Sequence, residues 1–345
     1  MQSACSIPRI TTHTAGGLIL GLMVFSLALN VHAQDAAENT KPVVEQLVNT
    51  LTKLAHGPYK GFRANHAKGI MATGTFTPTA EAASLSKAPH LQKESTPVTV
   101  RFSNATGVPV MPDADNNASP HGIAIRFSLP DGGLTDIVSI SYNGFPVSNP
   151  EDFLGLLNAV AASGTDAPKP SPIEQFLGTH PAALKFVTTP KPAPLSFTTL
   201  AFYGVNAFNF TNAKGESHYG RYRILPVAGE QSLPAEQLAI ADPNYLMKEL
   251  PERLKSGEAK FKIYVQLAEK DDPINDPTAV WPNDRKLVEL GTLALKAVVA
   301  DSQQAEKSIM FNPLLLPDGI SPSSDPILLA RPAAYAISFS RRIGQ

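Results

Sequence analysis

The sequence predicts an α+β fold, an antiparallel β-barrel with appended helices. Three observations carry this: seven or eight short β-prone runs separated by turn signals, one helical stretch interrupting them, and helical periodicity at both ends of the chain. Parallel, Rossmann-like order is disfavoured, because no Gly-rich strand-to-helix fingerprint occurs and Lys214-Gly215 belongs to a hairpin turn. No internal repeat is visible.

The first segment reads as an address rather than as structure. Arg9 precedes an apolar run from Gly17 to Leu29, and Val31-His32-Ala33 places small residues at a cleavage site. The run is too short to span a bilayer, so residues 1–33 are expected to be a secretory signal peptide, leaving 34–345 as a single domain. Arg9 is the only charge in the leader, and the whole chain balances 29 Lys and Arg against 30 Asp and Glu. Without a basic cluster, a nucleic-acid partner is not expected. Cys5, the only cysteine, leaves with the leader, which removes disulfides, thiolate nucleophiles and cysteine-ligated metals from the mature chain. Export without cysteine points to a bacterial periplasm and to no stable membrane insertion.

After a polar lead, Val43, Val44, Leu47, Val48, Leu51 and Leu54 mark an amphipathic helix expected on the outside of the main domain. Strand-like runs follow at Val98–Phe102 and Gly122–Phe127, and Pro130-Asp-Gly-Gly133 is a turn. Pro150–Val160 is helical by period with proline at its start, and Ser163 onward reads as a loop rich in Ser, Gly, Pro and Lys. Runs 205–211 and 219–226, joined through Asn212-Ala-Lys-Gly215, form a hairpin. Phe261–Leu267 is a further strand, and Leu287–Val299 one or two more.

Arg331, Tyr335 and Arg342 have spacings of four and seven, which puts all three on one helix face. A guanidinium held against a phenol favours its ionised form, and a phenolate is one of the few protein ligands for haem iron. By residue type alone, an amphipathic core tyrosine is the commoner case. His66, among Arg63, Lys68 and small residues, has the chemistry of a general base. Arg101 and Arg126 each interrupt an apolar strand, where a charge needs a partner, a ligand or an outward edge. Thr99, Arg101 and Ser103 alternate onto one side. Asp113, Asp115, Asp271 and Asp272 lie in Pro- and Asn-rich stretches without EF-hand spacing and read as solvated loop charge. Neither a Gly-x-Ser-x-Gly elbow nor a His-Glu-x-x-His helix occurs.

Taken in order, Arg63-Ala-Asn-His66-Ala-Lys-Gly69, Val100-Arg-Phe-Ser103, His121-Gly-Ile-Ala-Ile-Arg-Phe127, Asp276-Pro-Thr-Ala-Val-Trp-Pro282, Gly319-Ile-Ser-Pro-Ser-Ser-Asp325 and Arg331–Gly344 resemble the haem-containing monofunctional catalases. The short exported catalase-related peroxidases, which lose much of the C-terminal helical extension, are the nearer likeness. It covers roughly residues 57–344. The resemblance implies an eight-stranded catalase-type barrel binding haem b, with Tyr335 the iron ligand beside Arg331 and His66 the catalytic histidine oriented by Ser103. Arg63, Arg101 and Arg342 then match propionate-binding arginines, and Phe145 and Phe153 match phenylalanines of the distal pocket.

It further implies a peroxidase that reduces hydrogen peroxide or organic hydroperoxides with small-molecule electron donors through a ferryl intermediate, as a monomer or small homo-oligomer. A true catalase, a fatty-acid hydroperoxide-converting enzyme and a non-catalytic haem barrel stay open as alternatives. Departures from the catalase pattern favour the peroxidase. Ile140 stands where full catalases carry a distal asparagine, and Ser139, Ser141 and Asn143 are near without replacing it. Asn65 and Ala105 replace valines of the access route, and Pro332 interrupts the final helix and is expected to disturb its geometry.

Overall fold

Alternation puts Val98, Val100 and Phe102 on one face of their strand, and in the computed structural model, which describes residues 41–344, that face lines the interior of a closed barrel. The strands are β1 (Gly69–Pro78), β2 (Thr96–Ser103), β3 (Gly122–Ser128), β4 (Leu134–Ile140), β5 (Phe202–Tyr203), β6 (Phe208–Thr211), β7 (Ser217–Pro226), β8 (Ala259–Leu267), β9 (Leu287–Val298) and β10 (Ile320–Pro322). Neighbours run in the order β7-β5-β4-β3-β2-β1-β9-β8, and a further β7–β8 pairing closes the ring of eight, every pair antiparallel. β6 and β10 extend the sheet beyond β7. Closure leaves the ring no free edge.

Phe102, Phe202 and Phe261 come from β2, β5 and β8 and meet inside, with ring centroids 5.9 and 6.1 Å from Phe102. Phe197 stacks on Phe102 at 5.3 Å. All four are fully buried, and each ring's transfer from water is worth about 2 kcal/mol. Ile123, Ile125, Ile263, Val265, Leu293 and Leu295 complete the same core.

The helices are α1 (Val43–Leu54), α2 (Ala80–Leu85), α3 (Pro150–Ala161), α4 (Pro172–Thr179), α5 (Pro181–Thr188), α6 (Ala235–Leu238), α7 (Tyr245–Ser256), α8 (Ser302–Ser308) and α9 (Pro326–Ile343). α1, α3 and α9 pack together beside the barrel. From Val43 onward the chain clusters as one compact unit. Among the described residues no helix is long and apolar enough to cross a membrane. The proposed signal peptide, residues 1–33, lies outside the described residues.

Several local expectations are corrected. The stretch after Ser163 is not simply loop: α4 begins at a capping box in which Ser171 accepts from the Glu174 N–H and the Glu174 side chain returns to the Ser171 backbone, and Pro172 fixes the first helical φ. Pro181 starts α5 in the same way. Asp113 is not solvated. It is buried, with Lys68 Nζ at 2.7 Å and the Asn104 amide at 2.8 Å. Arg126 takes the partnered option, since β3 lies inside the ring and its guanidinium holds Asp136 through two hydrogen bonds of 2.8 and 2.6 Å. The run from Leu287 forms one strand, Leu287–Val298, and α9 runs on through Pro332.

The β1–β9 ladder shifts register between Thr73 and Gly74, where the backbones approach so closely that a Cβ on Gly74 would stand 2.1 Å from the Ala294 carbonyl oxygen. Gly74→Ala is expected to cost about 1–3 kcal/mol and lower the thermal midpoint, as measured by circular dichroism on heating.

Candidate active site

Helix α9 starts where Asp325 caps its first turn: one carboxylate oxygen accepts from the N–H groups of Ile327 and Leu328 at 2.9 and 3.2 Å. The other accepts from the Asn206 amide at 2.7 Å. The Asn206 oxygen accepts from Arg331 at 2.7 Å, and Arg331 Nε donates to the Tyr335 hydroxyl at 3.0 Å. A chain of four side chains thus fixes the phenol against the sheet, with the guanidinium on its oxygen. Burial raises the Asp325 carboxyl above its ordinary range.

His66 sits at φ 53°, in the left-handed region that side-chain-bearing residues seldom adopt. Its Nδ1 lies 3.1 Å from Ser103 Oγ. Burial first, and the Arg101 charge second, pull the imidazole down to about 4, so the ring is neutral at ordinary pH. The wall beside it follows from strand register. Ser103 pairs with Gly122, and Gly122 with Ile140, so these three form one row across β2, β3 and β4. Arg101, Ala124 and Val138 form a second row on the same face. Gly122 is required there: a Cβ would stand 2.7 Å from Ser103 Oγ and 3.1 Å from His66 Nδ1.

Arg63, Arg101 and Arg342 are gathered by shared partners. Glu306 on α8 accepts from Arg63 at 3.1 Å and Arg101 at 2.7 Å, both on Oε2. Arg63 and Arg342 each donate to the Ile309 carbonyl at 3.0 Å. Arg101 also donates to the His66 carbonyl at 2.9 Å, tying the cluster to the histidine's own backbone. Burial, then the neighbouring arginines, lower Arg63, and burial and Arg101 bring Arg342 to about 10.

One cavity of about 270 Å³ collects the nine residues that the resemblance assigned to the site: Arg63, His66, Arg101, Ser103, Phe145, Phe153, Arg331, Tyr335 and Arg342 all line it. Asn65 and Ile140 line it too, whereas Ala105 does not. Phe145 and Phe153 lie against each other at 5.3 Å, and Phe145 N–H is held by the Pro277 carbonyl in the Asp276–Pro282 segment. Helix α1 is closer to the site than the sequence implied: Leu47, Val48 and Leu51 form part of the wall. Sequence reasoning missed Glu306 and Asn206, and gave Asp325 no role. Asp325 was detectable as an acidic residue immediately before a helix-starting proline, whereas Glu306 and Asn206 carry no local signal.

The residues present fit a haem. Apolar side chains such as Val138, Phe145, Phe153 and Ile327 wall a slot, a phenol with a guanidinium partner is available to iron, and three arginines meet in one place, as two carboxylates require. Tyr335→Phe is expected to abolish or strongly shift the Soret band of protein supplied with haem while leaving the far-ultraviolet circular dichroism unchanged. Gly122→Ala should keep the Soret band, because it touches neither α9 nor the arginines, and slow the reaction with peroxide by displacing His66 from Ser103; stopped-flow absorbance separates the two effects.

Comparison with known proteins agrees with the geometry. The family model described as Catalase matches residues 30–345. The chain is 35% identical over 291 residues to a catalase-related peroxidase of Mycolicibacterium paratuberculosis, covering 84% of this chain and 91% of that protein. A catalase-related peroxidase of Synechococcus elongatus is 34% identical over 286 residues, 82% of this chain and 84% of that one. Among solved structures, a fungal catalase superposes with a TM-score of 0.73 at 22% identity over 87% of this chain, and a bacterial catalase with 0.70 at 24% over 84%. This chain spans about three fifths of those two, 62% and 60%. Barrel, site geometry and sequence match together show that the chain belongs to the catalase family, and with it to proteins that carry haem.

Proposed function

We propose that this protein is a haem b peroxidase, exported to the periplasm, that reduces hydrogen peroxide or organic hydroperoxides with electrons from small donors. The observation that carries this reading is the meeting of the Arg331–Tyr335 pair and the His66–Ser103 pair in one arginine-edged cavity whose wall beside His66 carries the aliphatic Ile140 in the row of Ser103 and Gly122. When bound, the haem supplies the redox centre at which the peroxide O–O bond is cleaved. Tyr335 would hold the iron, with its oxygen fixed in place by the Arg331 Nε that donates to it at 3.0 Å. Arg63, Arg101 and Arg342 would hold the haem's two carboxylates.

His66 moves the proton. In the tautomer in which Nδ1–H donates to Ser103 Oγ, Nε2 accepts the hydroperoxide proton and then delivers it to the departing oxygen. Ser103 fixes the ring plane during both transfers. The Ser103–Gly122–Ile140 row contains one hydroxyl, already engaged by His66, and no side-chain amide. A second peroxide therefore finds no donor in that row to orient it for surrendering its hydrogens, so dismutation is slow while the first cleavage proceeds. The names of the two catalase-related peroxidases support the same division of labour. The chain is proposed to act as one domain from residue 34 onward and as a monomer or small homo-oligomer.

Two measurements on one haem-loaded preparation test this. Oxidation of a phenolic donor should exceed oxygen evolution from hydrogen peroxide; oxygen release at the rate of a full catalase with little donor oxidation would overturn the reading. His66→Ala should slow peroxide consumption by about 100-fold or more, the scale of a lost general acid–base. Because the depressed His66 value makes the neutral ring the working form, the rate should hold from neutral pH downward and fall only as pH approaches about 4.

A further inference from the structure

Behind Arg342 lies a second, open cleft, and among the described residues Arg342 alone lines both this cleft and the cavity. The Arg342 guanidinium is held by the Lys307 and Ile309 carbonyls, to which its Nε and Nη2 donate at 3.3 and 3.0 Å. On the outer side stand Lys60, Gln304, Lys307 and Ile343, and among the described residues no acidic one lines the cleft. Lys60 is exposed, and Lys307 Nζ reaches only a neutral partner, the Gln304 side-chain oxygen at 3.2 Å. Gly61, at φ +77°, lets the stem of Lys307 lie across the backbone: a Cβ there would stand 3.1 Å from Lys307 Cε.

Charge arithmetic distinguishes the two sides. Inside, Arg63, Arg101 and Arg342 face Glu306, which leaves two positive charges for the two carboxylates of a haem. With the cofactor bound the inner cluster is neutral, and the ammonium groups of Lys60 and Lys307 remain as uncompensated charge just outside. Ile343, 58% exposed, offers an apolar surface beside them. Cation and apolar face together match a small aromatic anion.

We propose that this cleft is the docking site for the electron donor, and that the donor is a phenol carrying a carboxylate or sulfonate. The proposal rests on the peroxidase reading above. Each docked phenol gives up one electron and its hydroxyl proton and leaves as a phenoxyl radical; two such donors reduce one hydroperoxide to an alcohol, or hydrogen peroxide to water, with one further water formed. A donor held on this side of Arg342 would not need to enter the cavity that His66 and Ile140 shape for peroxide.

The test compares two donors sharing one phenol, 2-methoxyphenol and 4-hydroxy-3-methoxybenzoate, on haem-loaded wild type and on a Lys60→Glu, Lys307→Glu double variant, with Lys60→Gln, Lys307→Gln as a milder pair. Charge reversal is expected to lower kcat/KM for the benzoate about tenfold, mainly through KM, and to leave the neutral phenol within about twofold. Added salt should weaken benzoate oxidation in the wild type and not in the variant. Equal effects on both donors, or none, overturn the proposal. Calorimetry with 3,4-dimethoxybenzoate, which has no phenolic hydrogen to give, reads binding without turnover: binding by the wild type that both double variants lose supports the anion site even if neither phenol is oxidised, an outcome that would sink the peroxidase reading alone, whereas absence of binding by the wild type sinks the site.

Discussion

Three guanidiniums repel one another, and the structure depends on how Glu306 offsets that repulsion. Its carboxylate is buried between Arg63 and Arg101, while Arg342 is held close through the Ile309 carbonyl it shares with Arg63. The elements involved are far apart in the sequence: the segment before β1, strand β2, helix α8 and the end of helix α9. A buried ion pair is seldom a net source of stability, because desolvation of both partners opposes the attraction, but loss of one partner leaves a buried charge uncompensated and costs about 3–5 kcal/mol. Glu306 therefore acts less as reinforcement than as the condition under which a cation cluster assembles before any dicarboxylate ligand arrives.

The cavity has two kinds of wall, and each suits its task. The phenol is carried by a helix and braced by a hydrogen-bonded chain that ends on the helix's own first N–H groups, so movement of Tyr335 would disturb Arg331, Asn206 and the Asp325 cap together. The histidine stands against a sheet whose register fixes each neighbour in rows. Ladder geometry leaves little freedom to repack Ser103, Gly122 and Ile140 independently, since a one-residue slip of any of the three strands would turn its member of the row toward the barrel core. Chemistry at this wall is thus set by residue identity more than by conformation, and an aliphatic side chain in the row is a lasting absence of a donor.

What was legible in the sequence was whatever depends on short-range periodicity. The one-face spacing of Arg331, Tyr335 and Arg342, the alternation of Val98–Phe102 and the turn residues of the Asn212–Gly215 hairpin all express local geometry, and all are found as read. Glu306 escaped because α8 is a seven-residue polar helix in which a glutamate resembles solvated surface; only the arrival of β2 and the Arg63 segment buries it. Asp113 was misread for the same reason, its partner Lys68 lying across a loop. Asn206 carries no sign of its role, since a short amide between strands acquires a meaning only when Arg331 and Asp325 reach it from α9 and its cap. Helices α4 and α5 were hidden by composition, although the Ser171 to Glu174 spacing is itself a start signal.

The arginine cluster raises a question about the base it adjoins, since a ligand that neutralises those cations also alters the field at His66. The order of causes answers it. Burial contributes most to the lowered His66 value and the Arg101 charge comes second. Carboxylates placed on the arginines weaken only the second contribution, whereas the first, enclosure of the ring by the protein itself, is in place before any ligand arrives. The readiness of His66 to accept a proton is thus built into the fold mainly by desolvation.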